Sequence, residues 1–216
     1  MKRLILVVAA LVCLAPAGFA DGIVFNNGTP NQANGNEMTE WIQAEDFTFS
    51  VDTLITDVHF WTIEDPSGIG YDGSIWYGIY ADNGSGQPDL TPGISDELSP
   101  LRTFVQGGVL GVYNEYVYSF DITPFTAVGG VTYWLGLHNG DLDNVTRAEV
   151  YWETTDPTAG NGNEWQLDVT SPSWFNNGQE HAFNLTGPTP IPEPSSLLLL
   201  GAGLVGLAGI GRRKLR

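Results

Sequence analysis

The chain has 216 residues, enough for one domain or two small ones. Charged residues are 15% of it and aromatic residues 12%, a balance that argues against disorder, and 27 glycines suit a fold with many turns. Between residues 21 and 190 only Arg102 and Arg147 face 24 acidic residues, a net charge of −22 that excludes binding to a phosphate backbone.

The first twenty residues read as a secretory signal peptide. Lys2 and Arg3 form a basic cap, an apolar run follows from Leu4 to Leu14, and Gly18 and Ala20 are the small residues of a cleavage site after Ala20. Pro16 breaks the run, which is too short for a permanent anchor. The one cysteine, Cys13, lies inside this segment behind Val12, which is not the small residue a lipid-modified cysteine would follow. A cleaved chain would therefore hold no thiol and no disulfide.

Residues 21–186 show the two-residue period of β-strands and no long helical period. Phe47, Phe49 and Val51 alternate with polar residues, and Val58 and Phe60 follow. Ile75, Tyr77 and Ile79 share a face with Trp76 and Tyr80 opposite. Tyr116, Tyr118, Phe120 and Ile122 form a third face, and Val131, Tyr133, Leu135 and Leu137 a fourth. Val150 with Trp152, Trp165 with Leu167 and Val169, and Phe183 with Leu185 supply shorter strands. Turn signals at Asp65-Pro66-Ser67-Gly68, Asn139-Gly140, Asp156-Pro157 and Asn176-Asn177-Gly178 separate them. The expectation is an all-β, single-domain, jelly-roll-like sandwich of about eight strands.

Candidate chemistry in this region is sparse. Asp82 in one loop and Asp141 and Asp143 in another are calcium candidates, but neither loop has the spacing or distal Glu of an EF-hand, so no cofactor beyond a structural calcium is expected. Glu149 and Glu153 share a strand face with Tyr151, the most tempting place for a glycoside-hydrolase acid pair. The favoured reading there is a solvated face, and no enzyme is expected. His59, His138 and His181 fall in no ligand spacing, and no Gly-x-Ser-x-Gly elbow occurs. Four Asn-x-Ser/Thr triplets are chance in so Asn-rich a chain. Seven tryptophans lie here, mostly as expected core. Trp76, Trp134 and Trp152 form the candidate surface platform for sugar rings.

Residues 187–196 read as a proline-rich linker, with Pro192-Glu193-Pro194 held extended by the fixed proline φ. An apolar Leu/Gly/Ala run follows over 197–210, about 21 Å long as a helix. That is short for a hydrocarbon core of roughly 30 Å, so it spans only a thinned bilayer. Arg212, Arg213 and Lys214 form a basic stop on the cytoplasmic side.

These three parts, in this order, resemble the PEP-CTERM sorting signal of Gram-negative bacteria. Glu45-Asp46-Phe47-Thr48-Phe49, Tyr80-Ala81-Asp82-Asn83-Gly84 and Gly130-Val131-Thr132-Tyr133-Trp134-Leu135 also resemble the β-rich bodies that precede this tail. The resemblance implies recognition of Pro192, Glu193 and Pro194 by exosortase, after export through the Sec translocon and cleavage by signal peptidase. It implies a transient stay in the inner membrane, then delivery to the cell surface or an exopolysaccharide matrix. Three roles follow for the body: a structural or adhesive matrix protein, a carbohydrate-binding module, or, least favoured, a secreted hydrolase.

Overall fold

A computed structural model describes residues 19–156, 163–170 and 172–190. The expected sorting helix and all but the last two residues of the signal peptide fall outside them. Thirteen strands occur among the described residues and no helix. In chain order they are β1 (Phe19–Asn26), β2 (Pro30–Glu37), β3 (Trp41–Thr48), β4 (Thr53–Glu64), β5 (Ile75–Ala81), β6 (Ile94–Leu98) and β7 (Leu101–Val109). There follow β8 (Tyr113–Ala127), β9 (Thr132–Asn139), β10 (Val150–Thr155), β11 (Trp165–Asp168), β12 (Trp174–Asn176) and β13 (Phe183–Pro190).

The strands make two antiparallel sheets. In the first, β4 is central, with β8 and then β7 on one side. On its other side β13 pairs with residues 57–60 and β10 with residues 62–64, with β1 beside β13 and β2 beside β10. The second sheet runs β12-β11-β3-β9-β5-β6. The alternation seen in the sequence sorts the faces. Phe47, Ile75, Tyr77, Ile79, Leu135 and Leu137 of the second sheet pack against Val58, Phe60, Tyr118, Phe120, Val150, Trp152 and Phe183 of the first. This shared core is what the apolar face of each strand is for.

Five strands escaped the periodicity: β1, β2, β6, β7 and β12. β2 shows why, since its sequence Pro-Asn-Gln-Ala-Asn-Gly-Asn-Glu contains almost nothing apolar. Side chains tie it to β10 instead: Asn31 Nδ2 donates to the Thr155 carbonyl at 2.8 Å, and Thr154 Oγ1 donates to the Asn34 carbonyl at 3.1 Å.

The linker expectation needs correction at its start. Residues 187–190 belong to β13, whose pairing with β4 runs from Phe183 to Thr186. Gly187 is buried, and a Cβ there would sit 2.1 Å from the Leu54 carbonyl oxygen, so the glycine serves close backbone packing rather than flexibility. At the other end β1 starts at Phe19, and the expected cut after Ala20 leaves Asp21–Asn26 of that strand.

Candidate functional site

Polar side chains replace the apolar core where β2 turns into β3. On β3, Gln43 and Glu45 share the face of Phe47, while Ile42 and Ala44 point the other way into a second apolar cluster. Pairing sets Gln166 of β11 opposite Gln43, and Asn36 of β2 opposite Trp152. A cleft of about 420 Å³ opens at this corner, with Trp41 and Tyr151 as its aromatic residues and Asn36, Gln43, Gln166, Asn177 and Gln179 as its amides.

The carboxylate of the cleft is already engaged. Glu37 Oε2 accepts the Thr39 and Glu40 backbone N–H groups at 3.0 and 2.7 Å, and its Oε1 accepts the Ala148 N–H at 3.1 Å. Arg147 donates to the Tyr151 hydroxyl at 2.9 Å. Among the amides, Gln43 donates to the Glu37 carbonyl at 2.5 Å, which leaves its buried Oε1 without a partner. Gln166 Oε1 accepts from Asn177 at 2.7 Å, and Gln179 Oε1 accepts from Asn34 at 3.3 Å.

Beyond these amides lies a set of buried acids. Glu164 is 0% exposed, and neither carboxylate oxygen meets a donor at hydrogen-bonding geometry. Burial pushes its pKa up to about 8, against the opposing pull of the nearby Asn36 and Asn177 amides. Glu45, also 0% exposed, accepts the His181 backbone N–H at 2.7 Å and lies 3.1 Å from His181 Nδ1. Burial, and then the charge of Glu180, raise Glu45 well above the ordinary carboxylate range. Burial lowers His181 to about 3, so its imidazole is neutral at pH 7. The His181 ring stacks on Trp152 at 4.5 Å between centroids. Glu180 accepts from Asn27 Nδ2 at 3.0 Å and from the Asn163 N–H at 3.2 Å.

The expected sugar platform does not form. Trp134 and Trp152 are 0% exposed and Trp76 is 9% exposed. Trp152 stands in the main core and donates Nε1–H to the Ala182 carbonyl at 3.0 Å. Trp76 and Tyr80 point away from that core but lie down over glycines. A Cβ on Gly78 would meet the Trp76 ring at 2.6 Å, and one on Gly136 would meet the Tyr80 ring at 2.7 Å. Trp174 then closes edge-on against Tyr80 at 5.4 Å and completes a second cluster with Trp134. Period-two alternation puts Trp76 and Trp134 on the outer face; missing side chains at Gly78 and Gly136 let that face be covered.

The acid pair is corrected too. Glu149 is exposed, but Glu153 is 0% exposed rather than solvated. Its neighbours are Gln32, whose N–H donates to Oε1 at 2.9 Å, and Glu115, and burial raises its pKa to about 7. The calcium candidates serve their own turns: Asp82 Oδ1 accepts the Gly84 N–H at 2.7 Å, and Asp141 Oδ1 accepts the Asp143 N–H at 2.8 Å. Among the described residues no three His, Cys, Asp or Glu side chains converge as metal ligands. His138 is buried on β9 with Nδ1 3.1 Å from the Gly140 carbonyl, and His59 is half-buried on β4. The cleft itself was missed, because its amides come from four separate segments.

Pro192, Glu193, Pro194, Arg212, Arg213 and Lys214 lie outside the described residues, as do the other residues past 190. Here comparison with known families decides. A model of the PEP-CTERM protein-sorting motif matches residues 190–214. The chain carries a PEP-CTERM sorting tail. That tail marks an exported protein, held in the membrane by its C-terminus and processed by exosortase. The match begins at the residue where β13 ends, so the tail follows the last strand directly. No curated protein matches the chain by sequence.

Proposed function

We propose that this PEP-CTERM protein is a structural or adhesive component of an extracellular polysaccharide matrix, acting by binding and not by catalysis. The observation that carries the reading is the abutment of a folded β body and a sorting tail at residue 190. The body would be a jelly-roll-like sandwich with a cysteine-free mature chain, suited to a compartment without a redox guarantee. Its net charge of −22 between residues 21 and 190 keeps copies soluble during export.

In this reading a signal peptide cut after Ala20 takes the chain through the Sec translocon. The run 197–210 then holds it in the inner membrane of a Gram-negative cell, with Arg212, Arg213 and Lys214 as the cytoplasmic stop. Pro192 and Pro194 keep Glu193 in an extended stretch, and a protease can take such a stretch without first breaking backbone hydrogen bonds. Exosortase cleavage there would release the body to the surface.

The test is the mass and location of the protein in its own host. The expected product starts at Asp21 and lacks residues 197–216, and Glu193→Ala holds the uncleaved chain in the inner membrane. A surface protein that retains Arg216 would sink the processing reading.

A further inference from the structure

The cleft at the β2–β3 corner is a built site, and we propose that it takes a neutral pyranose unit of a polysaccharide chain. The inference rests on the adhesive reading above and names its ligand. Three observations converge on that class. The first is shape: about 420 Å³ is within the roughly 300–1,000 Å³ of ligand clefts, and Trp41, half-buried, offers an apolar face for the C–H side of a sugar ring.

The second is the division of donors and acceptors. Gln166 and Gln179 each spend the carbonyl oxygen on a neighbouring asparagine, which leaves the amide NH2 groups to donate. Gln43 does the reverse: its NH2 is spent on the Glu37 carbonyl, and Oε1, on a residue 1% exposed, has no partner. A buried acceptor without a donor costs about 1–3 kcal/mol, which a ligand hydroxyl recovers. A hydroxyl donates and accepts at once, so one sugar ring answers both the Gln43 oxygen and the glutamine NH2 groups.

The third is charge. The Glu37 carboxylate is taken up by three backbone N–H groups, and the exposed Arg147 gives one of its N–H groups to the Tyr151 hydroxyl. The lining therefore offers no free anion for an amino sugar, and its one cation, the exposed Arg147, stands against a net charge of −22 between residues 21 and 190. The acidic body also repels a polyanion. A neutral glycan is the class left.

Affinity electrophoresis of the exported protein, isolated from its host, tests this. Gels would contain a neutral glucan, mannan or galactan, or else alginate as a polyanion or chitosan as a polycation. At least one neutral polymer should retard the native protein. Trp41→Ala and Gln166→Ala, both at partly exposed positions, should each weaken that retardation at least tenfold. Equal or stronger retardation by alginate or chitosan overturns the proposal, as does no retardation by any neutral polymer. Unchanged binding in both variants does so as well. Surface labelling of the same cells keeps the two readings apart. A displayed protein that binds no neutral glycan removes the cleft assignment alone, whereas a protein that never leaves the cell removes the delivery reading.

Discussion

Glu64 of β4 and Glu164, just before β11, are equally shut away from solvent, at 1% and 0% exposure, yet their surroundings are opposite. Glu64 Oε1 accepts from the Tyr118 hydroxyl at 2.7 Å and from Thr62 Oγ1 at 2.6 Å, and Arg102 reaches Oε2 at 2.5 Å. The Arg102 guanidinium in turn lies 3.5 Å from the centre of the Tyr116 ring. Glu164 has no such shell and takes up a proton instead, with a pKa of about 8. In a body with two basic residues, one buried acid receives a cation and the other is neutralised by its own proton. The first arrangement is closed and structural. The second leaves unspent polar capacity next to a cleft.

The largest effect should come from breaking the closed arrangement. Arg102→Met strands the Glu64 charge inside the protein, and removing one partner of a buried pair costs about 3–5 kcal/mol. Arg102 is 22% exposed, which places the expected loss at the low end, about 3 kcal/mol. Urea unfolding at pH 7 reads it as a lower midpoint with an unchanged slope. A loss below about 1 kcal/mol would show that Glu64 finds another way to be neutral.

The open arrangement should respond in the other direction. Glu164 keeps its proton in the fold up to about pH 8, whereas the unfolded chain releases it near pH 4.5. The protonated fold therefore has its full advantage below pH 4.5 and loses it as pH rises to 8. Glu164→Gln cannot lose a proton, so its stability relative to the native protein should rise by about 2–4 kcal/mol between pH 5 and pH 8. His181, lowered to about 3, works oppositely between pH 3 and 6.5, but it is present in both proteins and cancels in the difference. Urea midpoints at four pH values give the curve, and a flat difference would mean that Glu164 is ionised in the fold.

The smallest effect extends the same contrast to two tryptophans, both 0% exposed. Trp152 donates its indole N–H to the Ala182 carbonyl, whereas the Trp134 indole N–H has no partner. Trp152→Phe loses ring volume and a hydrogen bond, and Trp134→Phe loses ring volume but also an unpaired donor. The first variant should be less stable than the second by about 1–2 kcal/mol, measured by thermal unfolding. Equal losses would erase the distinction between paired and unpaired groups at these sites.

Much of the core was readable from alternation. Ile75, Tyr77, Ile79, Tyr118, Phe120, Leu135 and Leu137 are buried where the period puts them, since an apolar face of a strand must find another sheet. The polar edge strand β2 was not readable, because threonine and asparagine hydrogen bonds hold it and those leave no periodic mark. Val51, grouped with Phe47 and Phe49, is 67% exposed, because β3 ends at Thr48 and the chain turns.

The sorting tail is a property of the sequence by itself, because Pro192-Glu193-Pro194, the apolar run and the basic end follow one another in linear order within the matched residues 190–214. The two-residue period likewise determined an all-β body. Only the tertiary structure decided which aromatic residues are covered, since that depends on Gly78 and Gly136 lying beneath the Trp76 and Tyr80 rings. It also decided the cleft. Asn36, Trp41, Gln43, Gln166, Asn177 and Gln179 lie up to 143 positions apart, and what unites them is pairing between strands rather than any local pattern.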